Sequence, residues 1–181
     1  MLGPRRHAAV VIAIFRTPPH GIVFVERAAH LRDHPGQIGL PGGGVHPEDA
    51  GLPATALREL HEEVGVEAAR VTIVDELPVI RQRIANNFDV TPFVAVVEPG
   101  ELRIDATETA GVFVVPLARV LAFAGHEDAI EFEGRRIWGL TARILHEFVD
   151  RWNSGGETRV REQLGFDQDG DGDGGQSLSN V

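Results

Sequence analysis

The sequence predicts an α+β fold, a mixed β-sheet between helices, on two observations. Short β-branched runs recur, AAVVIAIF at 8–15, GIVFVER at 21–27, VTIVDELPVI at 71–80 and VTPFVAVVE at 90–98, each bounded by Pro, Gly or polar residues. Two other stretches, 53–64 and 139–152, carry their apolar residues at helical spacing. A chain with both periodicities is expected to layer helices on a sheet.

The first run closes at Arg16, Thr17 and two prolines, and the second follows at once, so two strands joined by a turn are expected. Two arginines precede that run, as in a secretion leader. It ends at Arg16 without a small-residue cleavage pattern, so it reads as a buried strand. No later run approaches a membrane span, and the expected location is the cytoplasm. From Ala28 to Gly44 His, Arg, Pro and Gly dominate, interrupted at Ile38 and Leu40, and mostly loop is expected. Residues 53–64 read as helix with Gly65 as a left-handed cap. Between the two later strands, RQRIANNFD suits a loop or hairpin tip. Leu117 to Phe123 reads as a short helix and 129–135 as a weak hairpin. Leu140, Ile144, Leu145 and Val149 make 139–152 an amphipathic helix.

After Trp152 the composition turns to Gly, Asp, Ser and Gln, which cannot bury enough apolar surface to offset the entropy of ordering. The expected organisation is an extension at 1–6, a folded domain at 7–153 and a disordered acidic tail at 154–181. Within that tail Asp167, Asp169, Asp171 and Gly172 match the opening of a calcium loop. The twelfth position holds Leu178 instead of a glutamate, so the segment reads as solvated linker.

Composition narrows the function classes. With 27 acidic against 17 basic residues, the net charge of −10 disfavours nucleic acid and anionic membranes as partners. A small anionic molecule remains compatible wherever arginines cluster. The 181 residues include no cysteine, which removes disulfides, thiolate metal sites and thiol nucleophiles together. Any metal must use oxygen or imidazole ligands.

The most informative stretch is RELHEEVG at 58–65. Glu59, Glu62 and Glu63 stand at i, i+3 and i+4, neighbouring positions on one helix face, while Leu57, Leu60 and Val64 form an adjoining apolar stripe. Most glutamate-rich helix faces are simply solvated. Here the helix is preceded by LPGGG at 40–44, a backbone nearly free of side chains that can turn carbonyls or amides into a site. A glycine loop feeding three carboxylates is a plausible cage for a hard divalent cation, and magnesium suits such oxygen ligands.

GGGVHPEDAGLPATALRELHEEVGV resembles the signature of the Nudix hydrolases. Its second half is complete in Arg58, Glu59, Leu60, Glu62, Glu63, Gly65 and Val66. In the first half, the usual loop glutamate position holds Ala50 when counted from Gly44 and Asp49 when counted from Gly43. The resemblance implies a Nudix-type α/β/α sandwich and hydrolysis of a nucleoside diphosphate derivative by water, with Mg²⁺ or Mn²⁺ as cofactor. It further implies metal ligation by Glu59, Glu62, Glu63 and the carbonyl of Gly43, with Arg58 orienting a ligand carboxylate. A carboxylate of this cluster or of a later loop would take the proton, and Glu108 is the candidate on a later loop.

Upstream, Arg27, Ala28, Arg32 and Gly36 precede Leu40, Pro41, Gly42 and Gly43 at the offsets of the additional motif of coenzyme A pyrophosphatases, with Leu40 replacing a phenylalanine. Val90-Thr91-Pro92 and the run from Ile137 to Ala142 resemble the same branch. That resemblance implies a coenzyme A-like substrate cleaved to 3′,5′-ADP and 4′-phosphopantetheine. Arg27 and Arg32 would bind its phosphates, with Gly42 and Gly43 beside them and His30 and His34 as helpers. Trp138 is expected in the core rather than stacked on adenine. The alternatives are another Nudix substrate, such as ADP-ribose, NADH or a dinucleoside polyphosphate, and a nucleotide-binding module without catalysis. A homodimer is compatible with the superfamily.

Overall fold

The computed structural model describes residues 6–30, 35–81, 88–104, 109–123 and 128–166. Two long strands, β1 (Arg6–Phe15) and β7 (Phe88–Val97), run parallel in register over ten residue pairs and form the centre of the sheet. Both faces of these strands are covered, which is why their sequences are almost continuously apolar. Alternation then sorts the side chains. Ala9, Val11, Ala13, Phe93, Ala95 and Val97 face one layer, while Ile12, Ile14, Val94 and Val96 face the other.

The remaining strands are β2 (Gly21–Arg27), β3 (Ile38–Gly39), β4 (Gly42–Gly44), β5 (Val71–Glu76), β6 (Ile80–Arg81) and β8 (Thr109–Pro116). β5 and β6 pair antiparallel with β7, and β8 with β2. β1 and β2 stay paired at Ile14 and Ile22. Toward the start of β1 the gap between them is filled by chain 38–44, with β3 on β2 and β4 on β1. The expected loop thus contains two short strands, because its backbone groups must be satisfied inside the sheet.

On one face lies α1 (Leu52–Val64), whose Ala56, Leu60 and Val64 are fully buried against the odd-numbered residues of β1. Burying side chains such as Leu60 and Val64 is worth about 1.5–3 kcal/mol each. Pro53 opens the helix and Gly65, at φ 71°, closes it by donating its N–H to the His61 carbonyl at 2.8 Å. The other face carries α2 (Leu117–Leu121), the hairpin β9 (Ala129–Phe132) and β10 (Arg135–Trp138), and α3 (Leu140–Asn153). The fold is therefore the α/β/α arrangement with a mixed sheet that the sequence predicts. No helix among the described residues is long and apolar enough to cross a membrane.

Two expected boundaries are corrected, and one strand is added. Arg6 belongs to β1 rather than to an extension. Residues 109–116 form β8, an outer strand whose half-buried side chains give little apolar signal. The tail is not disordered from 154, since residues 154–157 turn and α4 (Thr158–Leu164) packs back with Val160 and Leu164 buried. That i, i+4 apolar pair escapes a composition average taken over the acidic repeat that follows it. The calcium-loop fragment at 167–172 lies outside the described residues, as does the tip at 82–87.

α4 is tied down by charge as well as by packing. Arg151 donates to Asp75 on β5 and to Glu157 at the foot of α4, while Arg16 donates to Glu98 and to the carbonyl and side chain of Gln163. The Glu157 side chain is fully buried, and its Oε2 has no partner among the described residues. Burial pushes its carboxyl pKa up, and Arg151 opposes that only in part. Between the unfolded and folded pKa values the native chain then holds one proton more than the unfolded chain, so stability falls as pH rises through the folded value. Glu157→Gln, which cannot ionise, is expected to gain on the parent protein as pH rises from 4 to 7. Urea unfolding at a series of pH values checks this, and a constant difference contradicts it.

Candidate functional site

The site forms where β4 crosses the inner side of α1. Gly42 has φ 156°, and a Cβ there would lie 2.4 Å from the Ala9 carbonyl oxygen, so the strand can sit this close to β1 only as glycine. At Gly43 a Cβ would fall 2.3 Å from Glu59 Oε1. The bare backbone brings the helix carboxylates against the strand, and the Gly42 N–H donates to Glu63 Oε2 at 3.0 Å.

These contacts separate glutamates that the sequence places on one exposed face. Glu63 is buried at 6% exposure and the Glu59 side chain shows 13%, whereas Glu62 remains open at 52%. The acidic face is thus half inside the protein, because β4 covers what would otherwise be its solvent side. Burial raises the Glu59 pKa, and the neighbouring charge of Glu62 adds to that while Arg58 works against it.

Arg58 holds the cluster together. Its Nε and Nη2 donate to the two carboxylate oxygens of Asp49 at 3.0 and 3.1 Å. Nη1 donates to Glu59 Oε1 at 2.8 Å and to Glu62 Oε2 at 3.0 Å, and Nη2 also reaches the Gly44 carbonyl at 2.9 Å. These five bonds use all five guanidinium hydrogens, so Arg58 acts as a brace and has no donor left for a ligand. Asp49 in turn accepts from the His46 N–H at 2.9 Å and the Thr55 hydroxyl at 2.8 Å. The fork from Arg58 holds the Asp49 carboxyl well below the usual carboxylate range, and Asp49 holds the Arg58 pKa above its ordinary value.

Sequence reasoning gave Asp49 no role. Its signal was the register counted from Gly43, which puts a carboxylate at the loop position that faces the helix arginine. Among the described residues no three His, Cys, Asp or Glu side chains are gathered at metal-binding spacing. Glu59 and Glu62 turn instead toward Arg58, and Glu63 toward Gly42.

Of the clefts that border these residues among the described ones, two bear on the expected site residues. One, of about 640 Å³, runs along the outer side of α1 between Glu62 and the 99–104 segment. The other, of about 490 Å³, opens on the opposite face of the sheet beside Gly42, Gly43 and Gly44, with Val10, Ile38, Leu40 and Ile144 among its walls. Arg27 lines this second cleft, and its backbone N–H and carbonyl close the following loop by pairing with Gln37 and Gly36. Gly36 has φ 67°, which accounts for the glycine at that offset. Arg32, His34 and Glu108 lie outside the described residues. Trp138 is not core. Ile137 fills the core position on β10, and strand alternation turns Trp138 outward at 50% exposure to line the second cleft.

A glycine strand laid against a carboxylate helix, on a mixed sheet between helical layers, defines the class of protein. The chain matches the NUDIX domain family over residues 5–133 and belongs to it. It is a Nudix hydrolase, a pyrophosphohydrolase, and enzymes of this family generally use divalent metal ions. It is 37% identical over 160 residues to the protein named uncharacterized Nudix hydrolase NudL of Enterobacter sp. strain 638, covering 80% of this chain and 82% of that one. Two solved structures share the fold. The NUDIX domain of Shewanella oneidensis NrtR complexed with ADP ribose aligns with TM-score 0.61 at 18% identity, over 83% of this chain and 90% of that one. The MutT protein of Methanosarcina mazei Go1 aligns with TM-score 0.58 at 20% identity, over 83% and 98%.

Proposed function

We propose that the protein hydrolyses the diphosphate of coenzyme A or an acylated or oxidised derivative, releasing 3′,5′-ADP and the corresponding 4′-phosphopantetheine, with Mg²⁺ or Mn²⁺ as cofactor. The observation that carries the substrate is Arg27 in the cleft beside Gly42–Gly44, at the head of a loop whose offsets match the coenzyme A branch. A guanidinium there suits the 3′-phosphate, a group that other adenylated diphosphates lack.

The donor set fits a hard cation. Glu59, Glu62, Glu63 and the Gly43 carbonyl offer oxygen alone, and the partly desolvated Glu59 and the open Glu62 share a single guanidinium, that of Arg58. A divalent ion held by these residues supplies positive charge to the diphosphate oxygens. Arg58 is assigned a positioning role, setting Glu59 and Glu62 through its bonds to both. Gly43 lies against the Glu59 carboxylate and also lines the second cleft, so this strand borders both the carboxylates and the cleft. Water attacks one phosphorus, the bridging P–O bond breaks, and a carboxylate takes the proton from the attacking water. Glu108 is proposed for that last step.

A substrate panel tests the reading, with products identified by mass in ¹⁸O-labelled water. Coenzyme A is expected to be favoured over dephospho-coenzyme A and ADP-ribose in kcat/KM by roughly 10- to 100-fold, the worth of a charge-assisted hydrogen bond or two. Equal rates with dephospho-coenzyme A remove the reason for assigning Arg27 to the 3′-phosphate.

A further inference from the structure

Three aromatic side chains bear on where a nucleotide base could sit, and two of them are already engaged. The Trp152 ring is packed by Phe148, Phe166 and the guanidinium of Arg161, and is 7% exposed. Phe88 lines the second cleft, but the Arg6 guanidinium lies 4.2 Å from its ring centroid. Trp138 lines the same cleft at 50% exposure and makes no ring or cation contact among the described residues. A large indole face left open over a cleft is apolar surface that a stacked ring could bury.

We infer that Trp138 is the platform on which the adenine ring of the substrate stacks, in the cleft that Arg27 also lines. This rests on the coenzyme A reading for its ligand. The 3′-phosphate and the adenine are carried by the same ribose, so a guanidinium that takes the phosphate brings the base within one sugar's width. Arg27 and Trp138 line this cleft together with Arg6 and Phe88, which stack on each other, so one such nucleoside would meet a cation and an open aromatic face at once. Gly42, Gly43 and Gly44 line the same cleft, so the 5′-diphosphate of this nucleoside would lie along the glycine strand, whose Gly43 abuts Glu59. Stacking is indifferent to which diphosphate follows, so Trp138 sets binding of the adenylate and leaves the chemical step alone.

Loss of base stacking is expected to raise KM for coenzyme A about fivefold to a hundredfold in Trp138→Ala with kcat nearly unchanged, and Trp138→Phe is expected to restore KM to within about threefold. A readout independent of turnover is indole emission, excited at the red edge, during titration with 3′,5′-ADP, AMP or 4′-phosphopantetheine. The chain has two tryptophans, so Trp138→Phe isolates the signal of Trp152. The two adenylates are expected to quench the parent protein saturably and Trp138→Phe not at all, with 4′-phosphopantetheine silent in both. Quenching that survives in Trp138→Phe, or that follows 4′-phosphopantetheine instead, overturns the assignment. So does an unchanged KM in Trp138→Ala. If AMP quenches through Trp138 while coenzyme A is not hydrolysed, the stacking site stands and the coenzyme A reading falls.

Discussion

Glu62→Gln is expected to lower kcat by about a hundredfold or more while moving the urea-unfolding free energy by less than about half a kcal/mol. The two numbers part because the side chain has two unrelated roles. Structurally it is an exposed i, i+4 partner of Arg58, 3.0 Å from Nη1, and such pairs contribute about 0.3–0.5 kcal/mol. Gln keeps an oxygen that can accept the same bond. In the proposed reaction, however, Glu62 supplies one of the negative charges that hold a dication against a diphosphate, and an amide oxygen cannot replace that charge. Steady-state rates with urea melts on the same preparation check both halves. A variant that folds normally and keeps its kcat takes Glu62 out of the reaction.

Gly43→Ala is expected to cost about a hundredfold in kcat with a modest loss of stability, whereas Gly42→Ala should destabilise the fold itself. Adjacent glycines differ because of what stands over each. The methyl at 43 would meet the carboxylate end of Glu59, a flexible group that can swing aside. A displacement of about 1 Å in a reacting constellation is enough to lose two orders of magnitude. The methyl at 42 would meet the Ala9 carbonyl oxygen and Val10 Cα, which are backbone of the central strand, and φ 156° is itself unfavourable for any side chain. Strain of that kind costs on the order of 1–3 kcal/mol. Melting curves beside kcat for the two variants separate the cases, and matching behaviour at both positions contradicts the account.

The central strands, both long helices and the Gly65 cap were readable from sequence because apolar period and capping residues agree there. β8 and α4 were not, since a half-buried outer strand and a two-residue apolar contact leave weak patterns. At the site, the sequence placed Arg58 and its three glutamates on one helix but could not show that β4 would bury Glu63 and half cover Glu59. Burial depends on a strand that lies about twenty residues away in the chain. The brace from Asp49 to Arg58 is a tertiary contact of the same kind. The outward turn of Trp138 has a local cause that residue type alone does not reveal, the alternation on β10 that gives the core position to Ile137.

The most direct test is an anomalous diffraction map at the manganese edge from crystals grown with Mn²⁺ and a slowly hydrolysed diphosphate analogue. The account predicts a peak roughly 2.1 Å from carboxylate oxygens of at least two of Glu59, Glu62 and Glu63, with Glu59 and Glu62 turned away from Arg58. A protein that turns over substrate yet shows no manganese beside any of these three side chains contradicts it.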